Sequence, residues 1–181
     1  MNAFFQRYKI PLLISLVSAL AYIALKGESN WINAVFAFLG ALAGSLLIDS
    51  ESIIYAYLLD TSSERAKKIK SLLKAMDFSG FAKYLDEYDY SFGESSIKSI
   101  FFQLILFVFS IYVFTTGEMV FVQTLTLSMF ANLLYAQHLE FQKTSTLERW
   151  FWLYNGRIPN KFFSIYLFFI LLLVVFQYTF L

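Results

Sequence analysis

The stretch Trp31–Asp60, WINAVFAFLGALAGSLLIDSESIIYAYLLD, decides how the chain is read. It is a nearly unbroken apolar run, longer than the roughly 20 residues that a helix needs to cross a bilayer. Two acids, Asp49 and Glu51, sit inside it. Ala37, Ala41 and Ser45 lead up to Asp49 at helical spacing, with Gly40 and Gly44 alongside. Small residues in such a stripe let one helix approach another closely, so the stripe marks the face turned to a bundle and carries Asp49 and Ser52 with it. Glu51 lies about 200° around from Asp49 and need not share that face unless the helix distorts. A helix entering at Trp31 brings Asp49 about 27 Å along its axis, to the far rim of the hydrocarbon.

Working outward, the same character repeats. Of the 181 residues, 59% are hydrophobic and 20% aromatic, and the mean hydropathy is +0.61. A soluble domain is nearer half apolar. The excess is gathered into blocks near 8–26, 31–58, 97–116, 118–138 and 161–180. None alternates with period two, so helices are expected rather than a barrel. The expected fold is all-α: a single polytopic membrane helical bundle over 1–181 with about five spans.

Charge orients it. All but one of the 14 lysines and arginines fall before the first block, between the second and third, or between the fourth and fifth; the exception is Lys26. The positive-inside rule then gives N-in and C-out, a multi-pass protein of the cytoplasmic (inner) membrane with the lipid bilayer as its first partner. The net charge of +1 creates no field to recruit nucleic acid. With no cysteine there is neither a disulfide framework nor a thiolate metal site. Arg7, Lys9 and the run ending in Ala19-Leu20-Ala21 also fit a signal peptide, but the apolar run continues through Ile23 and Leu25. Pro11 stands near the start of this block, where a proline is tolerated.

The segments between spans also carry helical patterns. Thr61-Ser62-Ser63-Glu64 fits a capping box, followed by Ile69, Leu72, Leu73 and Met76 on one face and lysines on the rest. A second short helix, started by Asp77 or Ser79, completes a cytoplasmic hairpin over 62–90, lying on the bundle or on anionic lipid. Ser145-Thr146-Leu147-Glu148 fits another capping box and predicts an interfacial helix over 146–154, rich in tryptophan and tyrosine.

An intramembrane acid is a functional candidate by default. For Asp49 the plainer alternative is a rim carboxylate bonded to serines or paired with a lysine. At the same depth, Glu94, Ser95, Ser96, Lys98 and Gln103 open the third span, while Asn132, Tyr135, Gln137, His138 and Glu140 close the fourth. Asp49, Glu94, Asn132 and His138 are expected around one cytoplasm-facing pocket, with Ser96, Gln103 and Gln137 as further polar groups.

Gly40-Ala-Leu-Ala-Gly-Ser-Leu-Leu-Ile-Asp49-Ser-Glu51 resembles the Gly-rich, Leu-Leu-Pro-Asp-x-Asp stretch of the LexA-regulated bacterial inner-membrane metal-dependent hydrolases. That family continues with a His-Ser pair opening a later span, then a helix bearing His and, four residues on, Asp. The matching regions here read Glu94-Ser95-Ser96-Ile97-Lys98-Ser99 and Asn132-Leu-Leu-Tyr-Ala136-Gln-His138. Asp49 is kept, and Glu51 stands for the second aspartate. Serine replaces the first histidine, and Asn132 and Ala136 replace the His and Asp pair. The resemblance implies a hydrolase-like membrane protein that has lost most of its metal ligands, a scaffold or a protein binding a ligand or protein partner at the cytoplasmic face, with no cofactor. An alternative is an active hydrolase of lipid-proximal or phosphorylated substrates, with Asp49, Glu51, Glu94 and His138 holding a divalent metal ion. A small transporter or channel subunit is a third reading, weakened by the lack of charge at the span centres.

Overall fold

The computed structural model describes residues 3–88, 97–117, 119–152 and 160–180, and these are helical with no strand. Helix α1 is Ala3–Lys26 and α2 is Trp31–Ile54, continued by a π-helical turn, Tyr55–Leu59. Two short helices follow, α3 (Glu64–Lys74) and α4 (Phe78–Tyr88). Then come α5 (Ile100–Thr116), α6 (Val120–Thr144), a 3₁₀ turn at Glu148–Phe151, and α7 (Asn160–Gln177) with a terminal 3₁₀ turn. Two helices, Ala3–Lys26 and Trp31–Leu59, are long and apolar enough to cross a membrane. Ile100–Thr116 and Phe162–Gln177 are apolar but shorter.

The bundle is built around α6, against which α1, α2, α5 and α7 all pack. Its buried side carries Gln123, Thr124, Thr126, Ser128, Asn132 and Gln137 among apolar residues such as Leu127, Phe130 and Leu133, the largest set of buried polar groups on any of the helices described. The tightest seam joins it to α2. Ala37, Gly40, Ala41, Gly44 and Ser45 are buried there. A Cβ on Gly40 would lie 2.2 Å from the Phe121 carbonyl oxygen, and one on Gly44 would lie 2.5 Å from that of Leu125. The two backbones touch, and the Ser128 hydroxyl donates to the Ala41 carbonyl at 2.7 Å.

Cross-helix pairs fix the helix directions. Gly40 meets Phe121 and Gly44 meets Leu125, so α2 and α6 run parallel. Ser15 meets Ser128 and Tyr22 meets Gln123, so α1 opposes α6. Gln137 meets Gln103 while Gln123 meets Val113, and Gln137 meets Tyr166 while Phe141 meets Phe163, so α5 and α7 oppose it as well. Helices α1, α5 and α7 thus point one way and α2 and α6 the other.

Helix ends depart from the sequence reading in informative ways. Helix α1 starts at Ala3, well before residue 8, which leaves Pro11 inside the helix; having no N–H, it cannot bond the carbonyl four residues back. Helix α6 runs on to Thr144, beyond residue 138. The hairpin forms, but its cap is Ser63 rather than Thr61: the Ser63 hydroxyl accepts from the Ala66 N–H at 3.2 Å. Asp77 accepts from the Gly80 N–H at 2.8 Å and starts α4. Ala56, Ala66, Ile69, Phe81 and Leu85 form the small core that fastens the hairpin to the end of α2. Ser145 caps no helix start: it closes α6 in the left-handed region at φ 57°. The helix expected over 146–154 is a single 3₁₀ turn at Glu148–Phe151, and its last two residues lie outside the described ones.

Candidate functional site

The end of the bundle where α1 starts and α2 and α6 finish holds a cavity of about 440 Å³. Each wall has a clear origin. The first turns of α1 bring Arg7, Tyr8 and Lys9, and the last turns of α2 bring Ser45 and Asp49. The polar extension of α6 adds Asn132, Tyr135, Glu140 and Lys143, while Lys98 comes from just before α5 and Asp86 from α4. Arg149 and Trp150 close it from the 3₁₀ turn. Five basic side chains therefore face three acidic ones.

Asp49 is the hub. Arg7 grips it through two atoms: Nε donates to Oδ2 at 3.1 Å and Nη2 to Oδ1 at 3.0 Å. The Tyr8 hydroxyl donates to Oδ2 at 2.7 Å. The Lys98 ammonium stands 3.7 Å from Oδ1. Arg7 also reaches Asp86 through Nη1, so one guanidinium ties α1, α2 and α4 together. The fork geometry and short bonds make this a strong charge-assisted set. A second pair closes another wall: Arg149 donates to Glu140 at 2.5 Å, and the Trp150 indole N–H to the same oxygen at 3.0 Å.

Asn132 lines the cavity and is nearly fully buried, 3% exposed. Its amide nitrogen donates to the Ser128 carbonyl at 2.9 Å and hydroxyl at 3.2 Å, and to the Ser15 hydroxyl at 3.4 Å. Its Oδ1 accepts no hydrogen bond among the described residues. A buried acceptor left unmade costs about 1–3 kcal/mol, and a bound donor is one way to recover it.

The predicted site residues divide. Asp49 and Asn132 meet in the cavity. Glu51 instead faces the start of α5, where it accepts from the Ile97 N–H at 3.4 Å. His138 is exposed, with its ring 2.8 Å from the Gln142 amide, and does not line the cavity. Gln103 and Gln137 bond each other at 2.9 Å on the α5 and α7 side. Glu94 and Ser96 lie outside the described residues. Among the described residues no group of three His, Cys, Asp or Glu is gathered to hold a metal ion. The donor set at Asp49 does not fit one either, because a guanidinium and an ammonium already surround its oxygens where a cation would bind. The lysine partner of the plainer reading is Lys98. Nothing in the spacing pointed to Arg7, Tyr8, Arg149 or Trp150; the available signal was that Arg7 is a cation one helical turn before an apolar run. No family model, curated protein or solved structure matches this chain.

Proposed function

We propose that the chain is a five-span membrane protein, N-in and C-out in a cytoplasmic membrane, whose cytoplasm-facing cavity binds an anionic ligand and does not hydrolyse it. It would be a hydrolase-like scaffold in which Arg7 and Lys98 take the place of a metal. The carrying observation is the cavity itself, whose lining holds five basic and three acidic side chains and also Asn132, whose buried Oδ1 has no partner among the described residues. Together they ask for a ligand with a phosphate or carboxylate and a hydroxyl or ammonium.

The alternation of helix directions supports five spans, since each successive long helix must reverse. The polarity of α6 argues the same way, because a helix at the centre of a bundle touches protein rather than lipid. Two measurements test the reading. The chain has no cysteine, so Ala75→Cys should label only from the cytoplasm and Glu28→Cys only from outside; labelling of both from one side would sink the topology. Glycerol 3-phosphate should bind detergent-purified protein while glycerol does not, and Lys9→Gln should weaken that binding a few-fold, as expected of an exposed charge. Equal binding of glycerol and its phosphate would remove the anion site.

A further inference from the structure

A second depression adjoins the cavity. It is a groove of about 360 Å³ between α1 and α2, lined by Leu12, Leu13, Leu16, Phe38 and Leu42, with Ser15 at its base. The two sites follow each other along both helices. On α1 the cavity uses residues 6–11 and the groove 12–16; on α2 the cavity uses Ser45 to Asp49 and the groove Phe38 and Leu42. The junction is polar and continuous. Ser15 in the groove stands 3.0 Å from the Ser128 hydroxyl and 3.4 Å from Asn132, whose side chain lines the cavity. Moving away from the charged end, a cavity with more basic than acidic side chains gives way within one helical turn to a groove lined by leucine and phenylalanine around Ser15 and edged by the exposed Leu13 and Leu16.

That order of chemistry is the order within one molecule of glycerophospholipid. We infer that the cavity takes the headgroup of an anionic, hydroxylated phospholipid and the α1/α2 groove takes one of its acyl chains, the lipid entering sideways from the inner leaflet. This rests on the anion-binding reading of the cavity and names its ligand class. The phosphate meets the basic side chains, a headgroup hydroxyl donates to Asn132 Oδ1, and the chain covers the leucines. Charge complementarity selects the headgroup, and continuity of groove with cavity selects a lipid over a soluble phosphate. The chain exchanges bilayer contacts for groove contacts, so it orients the lipid, and the headgroup supplies the selectivity.

The test uses full-length protein, stripped of lipid and equilibrated with neutral-detergent micelles holding equal phosphatidylglycerol and phosphatidylcholine, with bound lipid read by native mass spectrometry. Wild type should retain phosphatidylglycerol in preference. Leu13→Trp and Leu16→Trp, which fill the groove from its exposed edge, should lower retention several-fold, because the groove no longer admits the chain. Leu171→Trp, at a comparably exposed leucine of α7, should leave it unchanged and reports on general lipid adsorption. A wild type without preference, or groove variants that match Leu171→Trp, overturns the lipid inference. Glycerol 3-phosphate binding separates the two levels. If it binds wild type and groove variants alike and no lipid is preferred, the cavity takes a soluble anion and only the lipid inference falls. If neither probe binds, both readings fall.

Discussion

On the α1 and α2 side of α6, the polar groups at the cavity include charged ones beside the neutral Ser15, Ser128 and Asn132. Arg7, Asp49 and Lys98 meet beside a cavity, and Arg7 carries the link on to α4. On the α5 and α7 side the polar cluster is neutral. Gln137 donates to Gln103 and to Tyr166, and the Tyr166 hydroxyl donates back to Gln103 at 2.5 Å. Two to three turns further along these helices, Gln177 donates to Ser110 at 2.7 Å. Both clusters attach neighbouring helices to the same central helix. Neutral amides suffice for attachment in lipid, where such bonds hold helices together at about 0.6 kcal/mol each. The charged cluster costs more to bury, since desolvation opposes every ion. Its presence beside the mixed-charge cavity is therefore the part that attachment alone does not explain.

The sharpest way to break this contrast is to remove one charge. Arg7→Leu leaves Asp49 with Lys98 and Tyr8 only, and detaches Asp86 on α4. Loss of one member of a buried ion pair is expected to cost about 3 kcal/mol, seen as a lowered unfolding midpoint in detergent, together with loss of glycerol 3-phosphate binding. A variant as stable as wild type would reduce the cluster to surface pairing. On the other side, Gln137→Leu removes two hydrogen bonds but leaves the Tyr166–Gln103 bond in place. It should cost about 1 kcal/mol and leave anion binding unaltered. If anion binding fell with it, the two halves of the bundle would not be independent, and the neutral cluster would belong to the site.

The two sides also differ in how far the sequence foretold them. The small-residue stripe located the α2 face against α6 because close backbone approach admits only glycine, alanine or serine, and that constraint is local. Asp49 on the same face was legible for that reason. Its main partner was not. Arg7 lies 42 positions earlier, in a polar turn that hydropathy assigns to a tail but that continues α1 down to Ala3. Glu140 and Lys143 reach the cavity in the same way, on the polar extension of α6. Hydropathy records the length matched to lipid, whereas the helix goes on as long as its backbone bonds are made. Helices end where caps place them, and Ser63 and Ser145 show that a capping pattern fixes the kind of punctuation better than its position.

The smallest expected effect lies where α2 leaves the bundle and turns into the hairpin. The π-helical turn Tyr55–Leu59 is closed by an Asp60 N–H to Tyr55 carbonyl bond at 3.0 Å. The Tyr55 hydroxyl donates to the Asp60 carboxylate at 2.9 Å, and the Ser63 N–H donates to it at 3.3 Å. The Tyr55 hydrogen bond is the largest influence holding the Asp60 carboxyl below the ordinary carboxylate range. The sign follows from that direction. A depressed folded value means that the charged form favours the closed turn, so its contribution is complete above about pH 4, the unfolded value, and fades as pH falls through the lower folded value. Amide exchange at Asp60 to Ala66, corrected for the intrinsic pH dependence of exchange, should therefore show less protection on acidification through that window. In Tyr55→Phe the drop should be smaller, because the main donor is gone. The bonds involved all run between residues 55 and 63, which keeps the effect local, so the unfolding midpoint of the bundle should not follow it. If the midpoint did move in step, the hairpin joint would be coupled to the Arg7 cluster through α4, and the charged half of the molecule would extend from the cavity to the end of α2.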